Sequence, residues 1–476
     1  MQNLPNKNEI LTLQIDRLAF GGVGVGKIPT DQGDFTLFVE NAIPGQTVRA
    51  MVQSRKKRYA ECRLIEVISK SKDEIDIPFQ TIPGAPYATW PIAMQHENKS
   101  TECLRMLEKT GGIQLSDTQY DGLVSSPSTW HYRNKMEYAF SAIGYNRESQ
   151  QDFDGFTLGF KKRGTWWCVE NLEKDSGLFD TDFENLLPHI RKYCENTSLP
   201  AWHAPKREGF FRFLTVRKSF SDDQLLVNIV TAKEDVRFDV QDFAAMVHQH
   251  MGERLAGVIH TINGDKGDRV MPLEGESKLV FGQDHITEKI LDLKFRIGMT
   301  SFFQTNPASA ARLYQCVIQY IENHCNQESF VMDLFCGTGT IGQLIARHTS
   351  AKVIGVDIIA SAIEDAQKNA HINEIKRVEF ICADVGAFLK EYPQYIGNIG
   401  CIVMDPPRAG ISPKTLLRVI SLNSRTIVYV SCNPATFARD AATLRASGYQ
   451  LQRFTLVDQF PHTSHIEAVG LFQKSN

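Results

Sequence analysis

From Phe330 onward the chain settles into a repeating order, an apolar run of strand length followed by a longer segment with helical spacing. The strand-like runs are Phe330 to Phe335, Lys352 to Asp357, Val378 to Ala383, Ile399 to Asp405 and Thr426 to Ser431. Alternation of this kind predicts an α/β fold, a doubly wound parallel sheet. After Gly448 two more such runs, Leu451 to Val457 and Ile466 to Gln473, follow without a helix between them, so an antiparallel hairpin is expected to close one edge of the sheet. From Leu11 to Val67 the pattern is different. Short alternating segments are punctuated by glycines, notably Gly21-Gly22-Val23-Gly24-Val25-Gly26, and this predicts a small closed β-barrel. Between about Ser69 and Phe295 the signals are mixed α+β, with a helical stretch at Glu102 to Lys109 and strand-like runs at Phe211 to Val216 and Gln224 to Val230. Three domains are therefore expected, over residues 1–69, 70–295 and 296–476.

At 476 residues the chain exceeds what one core organises, which agrees with that division. A hydrophobic share of 42% with 22% charged residues belongs to a globular enzyme and excludes the disordered and fibrous classes. The apolar stretches fall far short of the roughly 20 residues that cross a bilayer. The first residues, MQNLPNKNEI, have no apolar signal core, so cytoplasmic residence without a membrane partner is expected. Ten cysteines without a CxxC spacing speak against a disulfide framework and against a zinc module. The net charge of −3 is not that of a strongly basic nucleic-acid binder, yet Arg55-Lys56-Lys57-Arg58 and Lys161-Lys162-Arg163 are local basic runs. Such runs are either solvated faces or phosphate contacts.

The candidate chemistry gathers at the carboxyl ends of the predicted parallel strands, where an open α/β sheet binds its ligand. Asp333-Leu334-Phe335-Cys336-Gly337-Thr338-Gly339-Thr340 leaves the first strand and opens a helix. It lacks both the full GxGxxG of dinucleotide folds and the Gly-Lys-Ser/Thr of a phosphate loop. Asp357 closes the second strand and could accept hydrogen bonds from ribose hydroxyls, while Asp384 closes the third and could face an adenine edge. Each could instead cap the helix that follows. With Asp333 and Asp405 they form an acidic rim better suited to an adenosyl cofactor without phosphates than to an anionic dinucleotide. Asp405-Pro406-Pro407-Arg408 follows the fourth strand, and Ser431-Cys432-Asn433-Pro434 the fifth. A thiol at that mouth can meet substrate, although a lone cysteine is more often a small buried hydrophobe.

Taken in order, Tyr132-Arg133-Asn134-Lys135, Ser301-Phe302-Phe303-Gln304-Thr305-Asn306, the loop DLFCGTGTIG, the turn DPPRAG, the SCNP loop and Phe460-Pro461-His462-Thr463-Ser464-His465-Ile466-Glu467 resemble the motifs of the RNA 5-methyluridine (uracil-C5) methyltransferase family. The N-terminal segment is similar to a TRAM domain, an OB-like RNA-binding module. The resemblance implies a Rossmann-like methyltransferase domain that uses S-adenosylmethionine on a uridine of RNA, 23S ribosomal RNA or transfer RNA, with the former preferred. It implies Cys432 as nucleophile and Glu467 as the base that removes the C5 proton. Cofactor contacts are implied for Gln304, Phe335, Thr340, Asp357, Asp384 and Asp405. Many relatives carry Asn at Thr340, Glu at Asp357 and Asn at Asp384, changes that keep hydrogen-bonding capacity.

Many relatives also hold an iron–sulfur cluster on three cysteines near the end of the TRAM domain and a fourth further on. Here the comparable stretch, Pro78 to Trp90, has no cysteine, and Cys62, Cys103 and Cys168 are too few and too dispersed to hold one. No cluster is expected. Two other classes of function remain in view. One is a catalytically silent RNA-binding assembly factor, against which the joint presence of Cys432, Glu467 and the acidic rim speaks. The other is a DNA cytosine-5 methyltransferase, whose nucleophile usually follows a proline, whereas Ser431 precedes Cys432 here. Oligomeric state is not legible in the sequence.

Overall fold

The largest sheet has eight strands, in the order Val378–Cys382, Lys352–Asp357, Phe330–Leu334, Ile399–Met404, Thr426–Ser431, Glu467–Lys474, Tyr449–Val457 and Tyr120–Val124. The first five are parallel, as the alternating pattern predicts. Helices such as Thr340–His348, Ala360–Ile372 and Pro434–Ala446 cover the sheet, and almost every residue of the inner strands is buried. Strand order reverses between Phe330–Leu334 and Ile399–Met404, which opens the crevice that such folds use for ligands. In this computed structural model residues 4–474 are described, apart from Phe20, Gln32, Leu273, Glu274, Asn323, 325–329 and 392–397.

The C-terminal hairpin differs from expectation in its place. Glu467–Lys474 inserts antiparallel between Thr426–Ser431 and Tyr449–Val457. The edge beyond is taken by Tyr120–Val124, which pairs parallel with Tyr449–Val457. No local pattern announces that partner.

The N-terminal sheet runs Ile10–Gln14, Thr47–Arg55, Tyr59–Ser69, Gly33–Glu40, Val23–Thr30, Arg17–Ala19 and curls around Leu13, Leu37, Val39, Val48 and Val52. Among the described residues it does not close as a ladder. The outer strand Arg17–Ala19 has three residues, and Asp16 N–H donating to Val25 O at 2.8 Å extends its pairing with Val23–Thr30. The expected closed barrel is thus a curled open sheet.

Between these two, seven strands from Lys135–Asn146 to Ser277–Gly282 pack against the helices Thr181–Asn196 and Val240–Met251. A further hairpin, His285–Ile290 with Leu293–Gly298, sends Ile286, Ile290, Phe295 and Ile297 into the same core as Leu313, Val331 and Leu344 of the parallel-sheet region. The helix expected at Glu102 to Lys109 begins earlier, at Ile92, and runs to Met106 before one π-helical turn at Leu107–Gly111. Its inward face carries Gln95, Lys99 and Cys103, so the apolar period that would have revealed its first turns is missing.

Candidate active site

The loop after Phe330–Leu334 is shaped by three residues with positive φ, Phe335 (64°), Gly337 (52°) and Gly339 (72°). At Gly339 a Cβ would come within 2.4 Å of the Phe380 ring, so the close approach of loop and neighbouring strand requires glycine. Phe335 and Cys336 N–H donate to Val356 O at 2.9 and 3.1 Å, and Gly337 N–H donates to Asp357 Oδ2 at 2.9 Å. Asp357 Oδ1 accepts from Ile359 N–H at 2.9 Å. Each oxygen keeps a second lone-pair site for a hydroxyl. Thr340 is the buried first residue of the helix. Asp384 is exposed, and its Oδ1 accepts from Ala387 N–H at 2.8 Å, so it caps Val385–Glu391 in the way a strand-end aspartate commonly does.

The end of one strand pair brings Cys432 and Glu467 together. The antiparallel seam ends at the pair Ser431–Ala468, so Cys432 and Glu467 are the residues that lie just beyond it on the two chains, and the Glu467 carboxyl acts directly on the Cys432 thiol. The turn at Cys432 is fastened on both sides. Asn433 N–H donates to Ser431 Oγ at 3.2 Å, Asn433 caps the next helix through Ala435 N–H, and its Nδ2 donates to Arg408 O at 3.0 Å. Asp405 leaves the neighbouring strand one residue after the Met404–Tyr429 pair.

Three carboxyls share this low-dielectric space. Burial first, then Asp405, pushes Glu467 up to about 8, with Arg408 opposing. Burial pushes Asp405 up to about 7, and burial with Asp405 pushes Asp333 up to about 8. The Cys432 thiol is pushed up to about 11 by burial, then by Glu467 and Asp405, against the pull of Arg408. Asp333, completely buried, faces the helix at Gly342, where a Cβ would lie 2.9 Å from its Oδ2, and among the described residues no cation pairs with it.

The motif segments converge here from distant parts of the chain. Asn134 Nδ2 donates to Gln304 O at 2.9 Å, and Asn134 N–H to Thr305 O at 2.8 Å. Asn306 Nδ2 donates to Ser126 Oγ at 2.9 Å and Gln459 O at 3.2 Å, and Tyr132 OH donates to Pro461 O at 3.0 Å. Among the described residues, buried polar atoms at Asn134 Oδ1, Thr305 Oγ1 and the Gln459 amide have no partner, as the lining of a ligand cavity would. Sequence reasoning passed over Tyr314. It is buried in helix Pro307–Glu322, touches the Gln304 side chain, and its hydroxyl is held well above the usual range by burial and by Asp405, Glu467 and Asp333. An aromatic residue on an amphipathic helix reads as core, so nothing in the pattern marks it.

The three cysteines weighed for a cluster are buried in separate elements, Cys62 in Tyr59–Ser69, Cys103 in Ile92–Met106 and Cys168 just before Val169–Asn171. Among the described residues no group of three or more His, Cys, Asp or Glu is disposed to hold a metal ion.

A switch-point crevice with a glycine loop and acidic strand ends defines a Rossmann-like methyltransferase domain. The family model described as tRNA (Uracil-5-)-methyltransferase matches residues 269–475. An uncharacterised RNA methyltransferase of Caldanaerobacter subterraneus subsp. tengcongensis is 35% identical over 473 residues, covering 98% of this chain and all of that protein. One from Clostridium acetobutylicum is 34% identical over 481 residues, with 99% of each chain covered. The chain belongs to the uracil-5 RNA methyltransferase family. Its fold is that of the Pyrococcus abyssi tRNA (uracil-54, C5)-methyltransferase, solved in complex with S-adenosyl-L-homocysteine, with a TM-score of 0.73, 23% identity, and 97% and 100% of the two chains covered. In the described residues no helix is long and apolar enough to cross a membrane.

Proposed function

We propose that this protein methylates carbon 5 of a uridine in RNA through a covalent adduct at Cys432, with S-adenosylmethionine as methyl donor. The observation that carries the reading is the buried Glu467 carboxyl acting on the Cys432 thiol where the strand pair Ser431–Ala468 ends. Asp357 with its spare lone pairs, the uncompensated Asp333 and Asp405 carboxyls, and the positive-φ loop suit a cationic adenosyl group. Gln304, Phe335 and Thr340 complete the cradle, with the exposed Asp384 at the end of the third strand. When bound, S-adenosylmethionine supplies an electrophilic methyl group on sulfonium and departs as a neutral thioether.

Cys432 Sγ, as thiolate, bonds to C6 of uracil, and the C5–C6 π electrons move onto O4 as an enolate. The enolate makes C5 nucleophilic enough to take the methyl group, splitting one difficult step into two. C5 then carries both hydrogen and methyl. Glu467 removes that proton, the electrons re-form the C5–C6 double bond, and the Cys432 sulfur leaves. A carboxylate raised to about 8 is a stronger base than an ordinary one and is matched to neutral pH. The target base must leave its stack to reach Cys432. The N-terminal sheet, as a TRAM-like module, and the exposed hairpin turn Arg55–Arg58 would hold phosphates without reading sequence. The division 1–69, 70–295 and 296–476 assigns RNA gripping to the first two parts and chemistry to the third, working on RNA of the cytoplasm.

The RNA preferred from sequence is 23S ribosomal RNA. Transfer RNA is the second reading, favoured by the names of the matched family model and of the Pyrococcus abyssi protein. Mapping 5-methyluridine in both RNA classes from a deletion strain decides between them. The chemistry is tested with labelled RNA and labelled methyl donor on a denaturing gel. Cys432→Ala should give neither methylation nor a shifted band, whereas Glu467→Gln should accumulate a band carrying both labels. A shifted band surviving in Cys432→Ala would mean another nucleophile.

A further inference from the structure

A cavity of about 520 Å³ lies at the junction of the N-terminal sheet and the central sheet, roofed by residues of the cysteine-free stretch from Thr81 to Thr89. Its size is that of an ordinary ligand cavity. Lys162 and Arg163 of the second basic run reach into it, and so do Arg63 and Arg147. The acids there are already engaged. Glu170 takes Arg147 at 2.7 Å, and Glu74 accepts from Gln46, Ser71 and Thr89 at 2.8 to 2.9 Å. Lys162 is paired with Asp152 at 3.1 Å.

Two guanidiniums are left over. Neither Arg63 nor Arg163 has an ion pair or a side-chain hydrogen bond among the described residues, and Arg63 Nε is buried without a partner. The stem of Arg63 runs along the backbone that carries Arg163. Gly164, at φ 76°, follows Arg163 so closely along Arg63 that a Cβ there would lie 2.6 Å from Arg63 Cδ. Burial, then Arg147, keeps the Arg163 guanidinium below its ordinary range against the weaker pull of Tyr87 and Glu40. Like charges gathered in a half-buried cavity repel unless an anion joins them. We infer that this cavity is a phosphate-binding site that takes phosphodiester groups of the RNA strand flanking the target uridine.

Continuity with the active site favours a strand over a free nucleotide. Tyr87, close to Arg163, donates from its OH to Gly22 O at 2.7 Å and from its N–H to His462 O at 3.0 Å, five residues before Glu467. Pro86 and Ala88, on either side of Tyr87, line the cavity, so its roof is tied directly to the loop that leads to Glu467. Arginine forks match phosphate oxygens and leave sequence unread.

The inference rests on the RNA-methylation reading, and salt titration of the full-length protein separates the two. The probe is a fluorescein-labelled single-stranded oligouridylate of about 20 nucleotides. Each lost phosphate contact on single-stranded RNA lowers the slope of log K against log salt by about 0.7, so Arg63→Gln/Arg163→Gln should lower it by about 1.4. Affinity in low salt should fall roughly ten- to a hundredfold. Lys192→Gln, a charge-matched change on helix Thr181–Asn196, should leave the slope alone. Arg63→Lys/Arg163→Lys keeps the charge and should keep the slope. An unchanged slope in the glutamine pair, or a slope lost equally in the lysine pair, would overturn the inference. Tight binding of inorganic pyrophosphate that the glutamine pair abolishes, with the RNA slope unmoved, would make this a small-anion site instead. Wild-type protein with no salt-dependent RNA binding would sink the methylation reading itself.

Discussion

Asp333, Asp405 and Glu467 are written in the sequence as ordinary acids, and only burial makes them unusual. Each holds its proton more tightly when folded than when unfolded, rising from 3.8 or 4.5 to about 7 or 8. Their contribution to stability is therefore complete below the ordinary carboxylate range and is lost as pH climbs through 7 to 8. A sulfonium placed among them favours the ionised forms, so binding of S-adenosylmethionine at pH 7 should release protons. Its demethylated product carries no charge on sulfur and should release fewer. Calorimetry in buffers of different ionisation enthalpy measures both. Equal proton release by the two ligands would mean that the carboxyls do not face the sulfonium. The sequence showed which acids stand at strand ends. Their protonation depends on how much water the finished fold excludes, and that is not a local property.

The passage from strand to helix at Gly337 and Gly339 shows how an element is fixed by a single backbone state. Ala at position 339 would combine a φ of 72° with a Cβ 2.4 Å from Phe380 and 2.9 Å from Ala366 Cβ. Gly339→Ala should destabilise the protein by about 1–3 kcal/mol, the range for overpacking and for strained backbone, and should weaken cofactor binding more than stability alone explains. Urea denaturation and calorimetry check the two parts. An unshifted midpoint would contradict this packing. The glycines were legible as a loop from their spacing, whereas the reason for the second one lies in Phe380, which the sheet brings alongside. The final hairpin follows the same logic. Its two strands were legible, but their neighbours, Thr426–Ser431 and Tyr120–Val124, were chosen by long-range pairing.

Across the whole molecule, helix Ile92–Met106 is fastened to the C-terminal loop that leads to Glu467. Lys99 Nζ meets Asp458 Oδ1 at 2.8 Å and His96 Nε2 meets Oδ2 at 2.9 Å, with Asp458 wholly buried. Gln95 Nε2 lies 3.2 Å from His462 Nδ1, and Gln95 Oε1 accepts from His462 N–H at 2.9 Å, while Trp130 stacks on the His462 ring at 3.8 Å. Asp458→Leu leaves Lys99 buried and unpaired and should cost about 3–5 kcal/mol in chemical denaturation. Adding Lys99→Met should recover much of that loss. Additive costs for the two changes would show that the pair does not act as one.

Hydrophobic periodicity and turn chemistry act over a few residues, so the chain alone determined the alternating strands and helices, the acidic strand ends and the cysteine-bearing turn. Tertiary structure decided what those features meet. It set Cys432 and Glu467 together at the end of one strand pair, drew Tyr314 and Asp333 behind the crevice, left the ladder of the N-terminal sheet open among the described residues, and brought Arg63 and Arg163 into one cavity. Those outcomes depend on contacts between residues far apart in sequence, whose energies appear only when water has been squeezed out between them.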